Sequence, residues 1–411
     1  MVLRQARAVR GRELEDAVSA IPIHPAEDSA PAGRAPLTLI DPLLLLGALG
    51  LVACSLITLH SATSNTNPGH PLYYVERQAI YAGIGIVVAV FLARIDYSRL
   101  REYKLGLYGV MIVLNLVVFA MPAIRGAHRW IPLPGFLVQS SEFGKVLVIA
   151  SLAAFAVDRA RRLHERRTTA RIMLLALIPA LLVIPQPDLG TAMVYVAIGF
   201  SLLFLAGTSW KQITALLAVF VAAIAIVLAG APALGVHVLK TYQVQRLTAF
   251  VDPAHAGTSG YQLQQSLIAI GSGEKTGRGV ANATQTKLNY LPANDTDFIF
   301  AAVGEIYGFV GAAVVLSLYA LLIWRALRIL TIAKNLYGTL IAGGILAMLT
   351  FEVFVNVGVT LGIMPITGVP LPLMSYGGSS VLVTFIALGL LQSIHIQARI
   401  ASASKGRALI F

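Results

Sequence analysis

Two acidic residues, Asp295 and Asp297, close a polar stretch that starts at Thr284, and an apolar run beginning Phe298-Ile299-Phe300 follows directly. A carboxylate at the boundary between water and lipid loses hydration, which favours its neutral form and raises its pKa. Such a group is suited to take a proton as a general base. An aspartate at the start of a helix is also a good cap, because its oxygens accept the free backbone N–H groups of the first turn. The local sequence supports both readings of Asp297, although Asp295 and Thr296 could cap without it.

Other ionisable groups fall inside apolar runs, where burying a charge costs on the order of several kcal/mol and makes each a functional candidate. Glu142 and Lys145 are three apart and so share a helix face. They read either as a self-neutralising ion pair or as a pair that positions Asp297 or a phosphate. Glu305, about 12 Å beyond Asp297 along a helix, and Glu352 read as links between helices or as site residues. The run Gly271-Ser272-Gly273-Glu274-Lys275-Thr276-Gly277-Arg278-Gly279 is not a nucleotide loop. No strand precedes it, and the Gly-Lys-Ser/Thr order is missing. Lys275 and Arg278 within it are candidates for holding an external phosphate. The histidines lack ligand spacing, and the single Cys54 makes an internal disulfide impossible and a metal–thiolate site unlikely on chemical grounds.

The elements that must position these groups are membrane spans. Of 411 residues, 57% are hydrophobic and 12% charged, against roughly 25% charged in soluble domains. A span needs about 20 apolar residues as a helix. Ten candidate spans follow: 43–60, 78–93, 105–122, 143–157, 172–184, 189–207, 212–235, 298–323, 337–363 and 377–394. The fold expected is an all-α polytopic membrane protein with about ten transmembrane helices. Lys and Arg concentrate in one set of loops, including Arg159, Arg161, Arg162, Arg166 and Arg167. The positive-inside rule then puts both termini in the cytoplasm. The net charge of +12 is spent on topology, not on nucleic acid, because the basic residues sit in short loops between apolar runs.

Residues 1–36 read as a disordered cytoplasmic tail without a signal peptide, 37–398 as the transmembrane domain, and 399–411 as a cytoplasmic C-terminal tail. The opposite face receives the loop at 123–142, the turn Pro185–Gly190 with Asp188, and the loop at 364–376. It also receives a large extracytoplasmic loop, 237–297, between helices 7 and 8. Within that loop, 261–270 has the pattern of an amphipathic helix.

The ordered motifs then carry a resemblance. They are Ala127-His128-Arg129-Trp130-Ile131, Gln139-Ser140-Ser141-Glu142 with Lys145, Pro187-Asp188-Leu189-Gly190-Thr191, and Tyr261-Gln262 with Gln265 to Gly273. Leu291-Pro292 with Thr296 to Phe300 and Pro370-Leu371-Pro372 with Ser375 to Ser380 complete the set. Over nearly all of 40–397 the chain resembles the SEDS proteins, the RodA/FtsW/SpoVE group of bacterial cell-wall polymerases.

The resemblance implies a peptidoglycan glycosyltransferase that polymerises lipid II on the outer face of the cytoplasmic membrane, with Asp297 as the catalytic aspartate. Substrate-binding candidates are Arg129, Trp130, Gln139, Glu142, Lys145, Asp188, Arg246, Gln265, Lys275, Lys287, Asp295 and Ser375. A divalent cation, Mg or Mn, at Asp297 is left open. The implied partner is a class B penicillin-binding protein, which supplies the transpeptidase this chain lacks. The chain departs from the usual motifs at Ala293 and Asp295, which replace Glu and His, and at Ser140, Ile306 and Glu274. Ala283-Thr284-Gln285 and Ile366 to Pro370 look more like the elongation protein RodA than like FtsW. A division-type polymerase, a lipid II flippase and a non-catalytic scaffold are the alternatives.

Overall fold

The computed structural model describes residues 39–63, 69–124, 126–163, 165–227, 241–250, 252–253 and 256–408. The N-terminal segment 1–36 lies outside the described residues. The chain is a polytopic all-α membrane protein. Six helices are long and apolar enough to cross a bilayer: α1 (Pro42–Thr63), α2 (Tyr73–Ala93), α4 (Ser140–Asp158), α12 (Ile299–Ile332), α13 (Leu336–Thr360) and the first 26 residues of α14 (Gly378–Ala408). Shorter apolar helices are α3 (Lys104–Val117, extended by a 3-10 turn to Ala120), α6 (Leu189–Leu205) and α7 (Trp210–Ala225). A tenth, α5 (Arg166–Val183), covers the span expected at 172–184. The span expected at 212–235 is helical as α7, and residues 228–240 lie outside the described set.

Two helices form the centre of the bundle. In α4 and α14, 83% of the apolar window is buried, against 22% in α2, which leaves most of α2 to lipid. The helix starts carry the expected chemistry. Pro42 opens α1, and Asp41 Oδ1 accepts from Leu43 N and Leu44 N at 3.1 and 3.2 Å. Asn335 Oδ1 accepts from Gly338 N at 2.9 Å to start α13.

Three local findings add to the sequence reading, and the amphipathic helix expected at 261–270 is present within one of them. The loop at 123–142 contains an antiparallel hairpin, β1 (Trp130–Leu133) and β2 (Phe136–Gln139), paired from Trp130↔Gln139 to Leu133↔Phe136. Its turn is Pro134-Gly135, with Gly135 at φ +76, as a proline-glycine turn requires. The large loop at 237–297 is largely folded where it is described. It holds α8 (Thr241–Thr248), α9 (Gly257–Ser272), α10 (Gly279–Asn282) and α11 (Thr284–Lys287). Helix α9 buries Ser259, Leu263, Ser266 and Ala269, a spacing of three to four residues that seats one face on the bundle. The segment expected as a C-terminal tail continues α14 as helix to Ala408.

The glycine run has a structural purpose. At Gly308 (φ 64, ψ −158) α12 leaves helical geometry, so backbone groups on both sides lose their usual partners. The run supplies replacements. Phe309 N donates to Glu274 O at 2.9 Å and Val310 N to Lys275 O at 3.1 Å. Glu305 O, the acceptor that Phe309 would use in a continuous helix, takes Arg278 N at 2.9 Å instead. Backbones approach this closely only without side chains: a Cβ on Gly308 would lie 2.3 Å from Gly277 N, and one on Gly277 would lie 2.2 Å from Ile306 O.

Gly308→Ala and Gly277→Ala should each cost about 1–3 kcal/mol through the positive φ and the clash. Gly279, also at positive φ but with open space around its Cα, should lose only about 1–2 kcal/mol on substitution by Ala. Melting temperatures of the purified proteins in detergent check the order; a Gly279→Ala protein as destabilised as Gly308→Ala would contradict the packing account.

Candidate active site

Asp297 is placed by its backbone. Three successive carbonyls are each held by a group from elsewhere in the chain. Tyr376 N donates to Asp295 O at 2.8 Å, and Ser375 Oγ to Thr296 O at 2.7 Å. Asn356 Nδ2, on α13, donates to Asp297 O at 3.0 Å and to Val369 O at 2.8 Å. The neighbouring Leu291 and Phe298 are buried in a small apolar core with Leu263, Val355, Ile366 and Val369. Upstream, Glu305 Oε1 accepts Gln285 N at 2.8 Å, and Oε2 accepts Thr286 N at 2.8 Å and Thr286 Oγ1 at 2.6 Å. Glu305 thus caps α11 from another helix, which is the structural side of the two readings it had from sequence.

The Asp297 carboxyl group is half-buried. Desolvation pushes its pKa above the usual carboxylate range; Arg246 and Arg129 oppose that rise, and Asp295 and Asp188 add to it. Arg246 extends from α8, and Ile366 N donates to Arg246 O at 3.3 Å. Gly368 lies between the two groups: a Cβ there would be 3.4 Å from Arg246 Nη1 and 3.7 Å from Asp297 Oδ2. Arg129 enters from the hairpin, its guanidinium 4.8 Å from the centroid of the Trp130 ring. Its Nε is buried without a hydrogen-bond partner among the described residues. A carboxyl group poised to take a proton therefore faces two guanidinium groups suited to an anion.

Asp188 borders this site but is consumed by structure. Its Oδ2 accepts from Ser141 Oγ at 2.8 Å, Gln139 Nε2 at 3.0 Å and Thr191 Oγ1 at 3.0 Å, and its Oδ1 accepts Thr191 N at 3.1 Å to cap α6. Deeper in the bundle, Lys145 Nζ bonds Glu142 Oε2 at 2.7 Å and Glu352 Oε1 at 2.6 Å, and all three side chains are buried.

The structure therefore gathers Asp297, Asp295, Asp188, Arg246 and Arg129 electrostatically, with Trp130 attached through Arg129, Gln139 through Asp188, and Ser375 through the Thr296 carbonyl. Glu142 and Lys145 join Glu352 in a separate buried triad. Gln265 is half-buried on α9, Lys275 is exposed at the α12 kink, and Lys287 is half-buried at the end of α11. None of these three is among the groups that act on Asp297. The sequence reading overlooked Asn356, although an amide in an otherwise apolar helix was a visible signal. Among the described residues no group of three or more His, Cys, Asp or Glu is placed to hold a metal ion. A cage built from protein ligands alone does not fit, and no step below runs through a metal.

The fold and site are those of a helical membrane protein with a partly desolvated carboxyl group set among two guanidinium groups. Sequence comparison gives the lineage. The chain belongs to the FtsW/RodA/SpoVE family, described as cell cycle proteins, whose model matches residues 37–400. It is similar to the peptidoglycan glycosyltransferase MrdB of Escherichia coli K12, 37% identical over 367 residues, covering 89% of this chain and 96% of the relative. It is also similar to stage V sporulation protein E of Bacillus subtilis, 34% identical over 368 residues, covering 87% and 98%. Among solved structures, a chain from "Structural coordination of polymerization and crosslinking by a peptidoglycan synthase complex" aligns with TM-score 0.72 at 30% identity, over 87% of this chain and 98% of that one. The rod shape determining protein RodA of Thermus thermophilus aligns with TM-score 0.60 at 27% identity, over 87% and 96%.

Asn356→Ala would leave the carbonyls of Asp297 and Val369 without their donor. The expected cost is about 1–3 kcal/mol, read as a lower melting temperature in detergent. Hydrogen exchange at 295–298 should rise with it, and unchanged exchange there would show that Asn356 does not hold the loop.

Proposed function

We propose that this protein is a peptidoglycan glycosyltransferase that polymerises lipid II into glycan strands, with Asp297 as general base. The 4-hydroxyl of the acceptor sugar attacks the anomeric carbon of the lipid-linked glycan. The new C–O bond forms as the bond to pyrophosphate breaks, releasing undecaprenyl pyrophosphate, and Asp297 takes the hydroxyl proton. The observation that carries this reading is the half-buried carboxyl group of raised pKa facing Arg246 and Arg129. A base works best when its pKa approaches the working pH, and guanidiniums offer paired donors to the departing phosphates. The buried, unpartnered Arg129 Nε is a donor left available for that anion.

Location and partners follow the same reading. The loops rich in Lys and Arg flank the ends of the helices opposite to Asp297 in the chain order, so the positive-inside rule puts the reaction on the outer face of the bacterial cytoplasmic membrane. A class B penicillin-binding protein would cross-link the product. The likeness to MrdB and the motifs at 283–285 and 366–370 support a role in cell elongation and shape. A flippase would need mobile polar groups along a path, whereas Lys145 is held by two glutamates and Glu305 is occupied in capping α11.

The decisive test uses purified protein with its penicillin-binding partner and lipid II. Asp297→Asn should lower polymerisation by at least about 10²-fold; glycan chains made by this variant at the wild-type rate would end the assignment. The substitution should not destabilise the fold. A group whose folded pKa is raised contributes stability below its unfolded pKa, and that contribution is lost as pH rises through the folded pKa. The ionised form of Asp297 is therefore a cost to the fold, and the variant should melt at the same temperature as the wild type or higher.

The pH profile is a second test. Asp297 must be ionised to act as base, so the rate should fall as pH drops through its raised pKa. The acid limb should sit above the ordinary aspartate range. Arg246→Gln removes the stronger opposing charge and should move that limb to higher pH; a limb that stays in place would separate Asp297 from the titrating group.

A further inference from the structure

Helix α2 begins with two tyrosines and carries Arg77, Gln78 and Tyr81 within its next turns. Tyr73 and Arg77 are four apart on one face, with the guanidinium 4.6 Å from the Tyr73 ring centroid. Tyr74 meets Tyr73 edge-on at 5.4 Å and 83°, and meets Tyr376 edge-on at 4.9 Å and 74°. All three rings are half-buried. Gln78 is buried and grips the backbone on both sides of Tyr376. Its Nε2 donates to Ser375 O at 3.1 Å, and its Oε1 accepts Gly377 N at 3.4 Å. The same turn holds the catalytic segment, through Tyr376 N to Asp295 O and Ser375 Oγ to Thr296 O. The ring cluster and the backbone of Asp297 are thus parts of one hydrogen-bonded unit.

Packing of α2 on α14 does not explain this composition. Further along, α2 is apolar, with Ile, Val, Ala, Gly and a single Phe91, and its three tyrosines and its one cationic residue, Arg77, all lie in the half next to Asp297. Tyrosines are common at the membrane interface, where they serve singly at the lipid boundary. Here three rings touch each other and the turn that fixes the reacting group, with a guanidinium over one of them.

We infer that Tyr73, Tyr74 and Tyr376, with Arg77, form a carbohydrate subsite that holds the glycan strand beside the bond being made; this rests on the lipid II polymerase reading above. A pyranose with equatorial substituents presents a face of C–H groups, and the negative face of an aromatic ring attracts them. Arg77 is placed for the carboxylates of the peptide that lipid II carries.

The test is direct binding of a lipid-free peptidoglycan tetrasaccharide, with and without its peptides, to the full-length protein in detergent by calorimetry. It is run on the wild type and on Asp297→Asn, so that binding is read without turnover. Both should bind. Tyr376→Leu and Tyr74→Leu should each weaken binding about tenfold, with melting temperatures unchanged. Tyr376→Phe, which keeps the ring, should bind as the wild type does. Arg77→Gln should weaken only the peptide-bearing ligand. Equal binding by wild type and both leucine variants overturns the subsite, and so does a fall in melting temperature without a fall in affinity. Loss of polymerisation in Asp297→Asn is scored separately, so a failed subsite and a failed polymerase give different results.

Discussion

Charge at the edge of a lipid-spanning bundle has to be compensated locally, because water there is scarce and the groups cannot move to find it. Asp297 is the site where that constraint is sharpest. Desolvation favours its neutral form, and two further carboxylates, Asp295 and Asp188, act in the same direction. Arg246 and Arg129 oppose them from two different parts of the chain, one on α8 and the other at the start of the hairpin. The net result is a carboxyl group whose pKa lies above the ordinary aspartate value. The balance also explains why elements as distant as residues 129 and 246 converge on one position.

That balance requires a fixed backbone, and the fixing is spread over the fold. The 284–298 segment is pinned at one end by Glu305, which caps α11, and at the other by Asn356, Ser375 and Tyr376. Glu305 sits one turn before the Gly308 kink, and its carbonyl is taken by Arg278 of the glycine run. A single stretch of α12 therefore holds both the segment before Asp297 and the loop before that. The glycines, which resemble a phosphate-binding sequence, serve close backbone approach.

Much of this was legible in the chain. Apolar runs and their lengths marked the six membrane-length helices and the shorter apolar ones among the described residues, because burial in lipid demands continuous hydrophobic sequence. The position of Asp297 at a polar–apolar boundary marked it out before any partner was visible. What could not be read was pairing at long range. Glu305 finds its partners 19 and 20 residues away, and Asn356 bonds a carbonyl 59 residues away. The hairpin at 130–139 escaped notice because each strand is only four residues long. Its Pro134-Gly135 turn was the available signal. Charge and motif group Lys275, Lys287 and Gln265 with the site, and none of the three is among the groups that act on the Asp297 carboxyl group.

The buried triad of Glu142, Lys145 and Glu352 is best understood through the helix it shares with the site. Replacing a buried ion pair by apolar residues is often neutral for stability, so the triad is weak evidence of a stabilising role. Its geometry points to register instead. Glu352 and Asn356 are four residues apart and lie on one face of α13. The contact of Lys145 with Glu352 sets the rotation of α13 against α4, and the same rotation aims the Asn356 amide at Asp297 O. At the start of α4, Ser141 and the preceding Gln139 bond Asp188, which borders Asp297. One pair of helices thus reaches Asp297 by two routes, and both depend on α4 and α13 staying in step. A lysine clamped between two glutamates holds that step because a slip of one turn would strand an unpaired charge in the bundle.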